Sequence, residues 1–223
     1  VNAPISLLAK WLPSPNTSSP KTRKLGKWMA RQLGMEEREY RKILSRLRAH
    51  SCVTERYLTR KSLNKIDYEA VPAGAMLKYR NAFARSDAEG FTGYLEDVRN
   101  ADKAMHADTL FPYEIIRPIL KNHRCWDSLD QQAAAGMETL EALWDSQSME
   151  VAQENAIAVV DTSGSMYCCD RRPITMAVAL GLYFAERCQG VFHNHMITFE
   201  TKPHLIKIHG KNLAEKLNYM LCQ

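Results

Sequence analysis

An apolar run that stops at an acid is the feature that most limits how this chain can fold. Residues Ala156 to Met166 read Ala-Ile-Ala-Val-Val-Asp-Thr-Ser-Gly-Ser-Met. Five apolar residues in succession suit a short strand covered on both faces, as in a parallel sheet with helices on each side. The carboxyl end of such a strand is the expected ligand site. Here it delivers Asp161, Ser163 and Ser165 to one turn, with Gly164 expected to let the backbone bend. Compact oxygen donors on a tight turn suit Mg²⁺ or Mn²⁺, which prefer oxygen ligands and keep part of their water. Nothing in that arrangement requires a catalytic nucleophile.

The residues downstream continue an α/β pattern. Arg172 to Arg187 reads as a helix with Pro173 at its start and Ile174, Val178, Leu182 and Ala185 near helical spacing. Two strand-like runs follow, Val191 to Phe199 and His204 to Ile208, separated by a turn at Pro203 that favours an edge position for the second. A last amphipathic helix is expected over Asn212 to Leu221.

Two catalytic readings of the same turn fail on spacing. Asp161-Thr162-Ser163-Gly164 has one residue too many for the Asp-Thr-Gly of an aspartic protease, and no second apolar run ends in a matching carboxylate. A serine hydrolase elbow needs Gly-x-Ser-x-Gly, whereas Gly164 directly precedes Ser165. Cys168 and Cys169 with His193 and His195 could be imagined around zinc. Without a Cys-x-x-Cys pair, ordinary thiols and strand histidines are the simpler reading. The six cysteines form no disulfide framework, so reduced thiols and a cytoplasmic setting are expected, and the sequon at Asn16 carries no meaning there. No run approaches the length of a membrane span.

The overall +5 charge conceals a division. Residues 1 to 60 hold 13 Lys and Arg against 4 acids, whereas residues 126 to 223 hold 7 against 12. The basic third predicts two helices. Ser19 caps the first, with Pro20 at its first position, Leu25, Trp28, Met29 and Leu33 inward, and Gly34 at its end. The second, Glu36 to His50, turns Tyr40, Ile43, Leu44 and Leu47 inward. Lys24, Lys27, Arg31, Arg41, Lys42 and Arg46 on these helices are candidate phosphate contacts for a structured RNA, against the alternative of a solvated face. Further helices are expected at Val53–Asn64, Pro72–Ser86, Ala88–Ala101 after a cap at Asp87, Pro112–Asn122 and Leu129–Asp145, forming a solenoid or irregular bundle. Met76, Tyr79, Phe83, Phe91, Leu95, Val98, Ile115, Ile116, Ile119 and Leu120 are their expected core. The polar stretch Ser146 to Glu154 sets the boundary between a helical basic domain, 1–147, and an α/β domain, 148–223.

The Asp161-Thr162-Ser163-Gly164-Ser165-Met166 turn resembles the metal-ion-dependent adhesion site of von Willebrand A domains. That resemblance implies the first half of a Rossmann-like von Willebrand A fold, with Ser163 and Ser165 as direct metal ligands and Asp161 acting through water. It further implies a non-enzymatic binding or scaffold role, in which the metal meets a carboxylate of a protein partner. In that family two later loops add a Thr and an Asp. The chain ends at Gln223 before them and starts at Val1, so a piece of a longer protein and weaker metal binding are expected. Leu8 to Ser19, Glu37 to Lys42 and Ile66-Asp67-Tyr68 resemble, with this turn, an uncharacterised von Willebrand A family whose N-terminal part is a DUF2828-like domain of unknown function. A helical domain leading into a von Willebrand A domain is also the layout of the Ro autoantigen. This implies RNA binding by the basic helices as the runner-up function, with a hydrolase as a remote third.

Overall fold

The computed structural model describes residues 8–121, 134–148 and 155–221. The expected helix start at Leu129, Asn122, Cys125, Cys222 and residues 149–154 of the expected boundary lie outside them. The chain divides into two compact units, Val1–Ile66 and Asp67–Gln223.

The first unit is helical: α1 (Leu8–Trp11), α2 (Pro20–Gln32), α3 (Glu37–His50), α4 (Thr54–Arg60) and a 3-10 turn at Leu63–Lys65. Ser19 caps α2 as expected, its Oγ accepting from the Thr22 N–H at 3.4 Å, and Gly34 leaves the helix with φ +65°. The expected inward face of α2 is corrected. Leu25, Trp28 and Leu33 are about half exposed, and the buried residues are Gly26 and Ala30. The cause is a close backbone crossing: a Cβ on Gly26 would lie 2.6 Å from the Ser14 carbonyl carbon. Only small residues let the loop after α1 approach that far. Ala30 packs with Tyr40 and Leu44 of α3, and the Tyr40 hydroxyl donates to the Pro13 carbonyl at 3.2 Å. The single helix expected at Val53–Asn64 breaks at Lys61, which is left-handed at φ +51°.

The second unit begins with α5 (Ala73–Ser86), α6 (Ala88–Arg99), α7 (Pro112–Lys121) and α8 (Ala134–Asp145). Their core is the one expected, with Met76, Phe83, Phe91, Leu95, Ile115, Ile116, Ile119 and Leu120 buried. Tyr79 and Val98 are only partly buried. Tyr68 completes this core, its ring 5.0 to 5.7 Å from those of Phe83, Phe91 and Tyr94. Asp87 precedes α6 but makes no side-chain cap; its carboxylate accepts from the Tyr68 hydroxyl at 2.7 Å. Burial, reinforced by that bond, raises the Tyr68 pKa.

A three-stranded mixed sheet follows: β1 (Ala158–Asp161), β2 (His195–Phe199) and β3 (Leu205–Lys207), in the order β1-β2-β3. β1 pairs parallel to β2, with Asp161 opposite Phe199, and β3 is the antiparallel edge strand that Pro203 led us to expect. The parallel pair is joined by α9 (Cys168–Arg187), and α10 (Leu213–Leu221) closes the described chain. Asn212 caps α10 by accepting from the Glu215 N–H at 2.8 Å. Fold class is thus helical with a small mixed sheet near the C-terminus.

Two expectations about this region need correction. Val160 is 4% exposed but Val159 is 61% exposed, so β1 is covered on one face rather than two. The covered face lies under α9, where a Cβ on Gly181 would come within 2.4 Å of Val160 Cγ2; Val159, Phe199 and Leu205 face outward. The long run from Val191 is strand only from His195. Residues 191–194 form turns, closed by His193 N–H to Gly190 O at 3.2 Å and His195 N–H to Phe192 O at 2.9 Å, with Asn194 left-handed.

Candidate functional site

The turn after β1 is fixed from both sides. The Thr162 N–H donates to the Phe199 carbonyl at 3.1 Å, tying it to the end of β2, and the Met166 N–H closes a 3-10 turn on the Ser163 carbonyl at 3.0 Å. Asp161 Oδ1 accepts from the Ser163 N–H at 2.9 Å, and Ser163 Oγ and Ser165 Oγ lie 3.0 Å apart. All three predicted oxygen-bearing side chains therefore meet on one turn. Hydrogen bonds from the Ser163 side chain and then its backbone hold the Asp161 carboxyl below its ordinary range, so it is ionised near neutrality. Thr162 Oγ1, beside it, is buried and has no hydrogen-bond partner among the described residues.

Gly164 does not play the part expected of it. Its φ lies outside the left-handed region and a Cβ there would meet nothing within 4 Å. The unusual backbone lies further on, at Cys169, Asp170 and Arg171, all with φ between +51° and +59°. Regular helix resumes around Pro173, as its fixed φ favours. Asp170 pairs with Arg117 of α7 at 3.3 Å, and Thr175 Oγ1 is committed to the Arg171 carbonyl at 2.7 Å.

Among the described residues no group of three or more His, Cys, Asp or Glu side chains is placed to hold a metal. Cys168 and Cys169 therefore stand in no such group with described residues. His193 Nδ1 lies 2.9 Å from the Cys188 carbonyl and His195 Nδ1 2.8 Å from the His193 carbonyl. Ser163 and Ser165 have no histidine among their described hydrogen-bond partners.

In the first unit, Lys24, Arg31, Arg41, Lys42 and Arg46 are exposed, and Lys27 pairs with Glu37 at 3.2 Å. Arg41 and Lys42 line a cavity of ≈ 510 Å³ together with Arg38, Arg48 and Arg56. Sequence reasoning missed these last three as site residues. Positions 38, 41, 42, 45 and 48 recur at helical spacing and could have marked the stripe, whereas Arg56 belongs to α4 and carried no signal.

Among the described residues no helix is long and apolar enough to cross a membrane. A family model described as a domain of unknown function, DUF2828, matches residues 2–156, and a second, DUF7788, also a domain of unknown function, matches residues 155–223. Uncharacterized protein L728 of Acanthamoeba polyphaga mimivirus is 32% identical over 234 residues, covering 97% of this chain and 38% of its own length. The chain thus spans well under half of that relative. No solved structure matches.

Proposed function

This chain belongs to the DUF2828 family of domains of unknown function, and for it we propose a cytoplasmic, non-enzymatic binding role centred on the Asp161 turn. In this reading β1, α9, β2, β3 and α10 open a von Willebrand A domain spanning 148–223, preceded by the helical domain 1–147. The observation that supports it most is the 3.0 Å approach of the Ser163 and Ser165 hydroxyls beside an ionised Asp161. Hard oxygens on a turn at a strand's carboxyl end fit Mg²⁺ or Mn²⁺ better than any softer ion. Ser163 and Ser165 would supply hydroxyl oxygens and Asp161 the negative charge. A dication held by these oxygens would supply the positive charge that a carboxylate of an acidic protein partner meets. A nucleophilic role for Ser165 has less support, since among the described residues its hydroxyl is hydrogen-bonded to the Ser163 hydroxyl rather than to a histidine or carboxylate.

The test is capture of an acidic partner peptide with magnesium and with chelator, using the wild-type chain and Ser163→Ala/Ser165→Ala. Capture that needs magnesium and both serines is expected. Equal capture in chelator rejects the reading. A second reading, binding of structured RNA by the basic helices, is favoured by the exposure of Lys24, Arg31, Arg41, Lys42 and Arg46. It requires RNA affinity to fall steeply with salt as counterions are released, and a flat salt response removes it.

A further inference from the structure

We infer that the cavity beside α3 is a binding site for a small polyphosphate, a ligand carrying two or three linked phosphate groups. Residues 1–66 hold 15 Lys and Arg against 4 acids, and the cavity concentrates that excess. Arg38, Arg41, Ser45 and Arg48 descend one stripe of α3 at spacings of three and four with Lys42 beside it, and Arg56 reaches in from α4. No acid lines it. Like charges at such spacings repel along a helix, so gathering Arg38, Arg41 and Lys42 on one side does not by itself stabilise α3. Arg38, Arg41 and Lys42 are exposed and in no ion pair with a described residue.

The remaining wall is preorganised rather than loose. Arg48 donates to Ser14 Oγ at 2.8 Å and to the Leu12 carbonyl at 2.7 Å, clamping the loop after α1 against α3, and Gly26 lets that loop lie close. Arg56 donates to the Ser45 carbonyl, which fixes its guanidinium at the cavity's edge. Ser14 and Asn16 add neutral donors. Guanidinium groups held in this way suit the paired oxygens of phosphate.

Size and lining choose among anions. At ≈ 510 Å³ the cavity has the volume of a small-molecule site rather than of a single phosphate. Among the described residues Leu44 is its one apolar lining residue, and no aromatic side chain offers a base a stacking surface. The ligand is therefore read by its charge, not by a nucleobase. A second cavity of ≈ 300 Å³ shares Arg56 and adds Arg60 and Lys65 as further cations for a longer phosphate chain.

The experiment is calorimetric titration of the whole chain with inorganic tripolyphosphate, pyrophosphate and orthophosphate, in chelator so that the Asp161 turn is silent. Saturable binding of tripolyphosphate is expected, with affinity rising with phosphate number. Arg41→Ala/Lys42→Ala should weaken it about tenfold or more through lost charge-assisted hydrogen bonds, and Arg38→Gln should weaken it less. Asp161→Asn should leave it unchanged, which separates this site from the metal reading. The inference is overturned by an absence of saturable binding, by equal affinity in the double variant with its circular dichroism unaltered, or by a structured RNA hairpin that binds while tripolyphosphate fails to compete.

Discussion

The contact between Gly181 and Val160 joins the helix of the α/β region to the strand that ends in Asp161, and it can be tested by a double-mutant cycle. An alanine Cβ at position 181 falls 2.4 Å from Val160 Cγ2 and 3.6 Å from Met196 Sδ. Overpacking of this kind costs about 1–3 kcal/mol, while replacing a mid-helix glycine by alanine returns about 1 kcal/mol. Gly181→Ala alone is therefore expected to destabilise by about 1 kcal/mol. Val160→Ala removes two methyl-sized groups from a buried site and should cost about 2 kcal/mol from lost burial plus cavity. Together the two changes relieve each other, because the deleted Cγ2 vacates the space the new Cβ needs. We expect the double variant to lose about 1 kcal/mol against an additive expectation of about 3, a coupling of about 2 kcal/mol. Urea midpoints followed by circular dichroism read this directly. At about 2–4 °C per kcal/mol the same pattern appears in thermal scans. Additivity within about 0.5 kcal/mol, or a stabilised Gly181→Ala, refutes the packing argument.

Other parts of the second unit yield narrower predictions. Glu186 accepts from Trp144 Nε1 at 2.7 Å and pairs with Lys216 at 2.6 Å, joining α8, α9 and α10. Its side chain is 13% exposed, so Glu186→Ala should cost about 1–3 kcal/mol, measured by urea midpoint, and a change under about 0.5 would deny it that role. Tyr68→Phe keeps the aromatic cluster but strips Asp87 of its hydroxyl donor, and should lower the melting temperature by the equivalent of about 1.5–3 kcal/mol. Asp161 is held below its ordinary pKa, so its contribution is full above about pH 4 and is lost as pH falls through the lower folded value. Wild type should then lose stability on acidification more steeply than Asp161→Asn. Superimposable acid profiles would contradict the Ser163 hydrogen bonds.

Much of this was legible because it is local. Caps and punctuation set the helices: Ser19 with Pro20, Pro173 and Asn212 all stand where helices begin. The Asp161 turn was legible for the same reason, since three donors at alternate positions after a strand have few ways to avoid one another. Faces were harder. Leu25 and Trp28 look like an interior stripe, and only the backbone crossing at Gly26 explains why small residues replace them. An apolar run such as 156–160 gives no sign of whether one or both faces are covered, which is why Val159 was misplaced. The left-handed residues at 169–171 and 194 are not glycines, so composition gave no warning. The cationic cavity combines a helix stripe, a residue of the next helix and a loop, a grouping that spacing shows only in part.

The central claim is that Asp161, Ser163 and Ser165 form an oxygen site for a hard dication. Titrating the whole chain with Mn²⁺ and following loss of the free-ion paramagnetic resonance signal tests it most directly. The account predicts saturable uptake of one ion, competed by Mg²⁺ and abolished by Asp161→Asn and by Ser163→Ala/Ser165→Ala. Uptake that those substitutions leave unchanged, or no uptake at low-millimolar Mn²⁺, would contradict it.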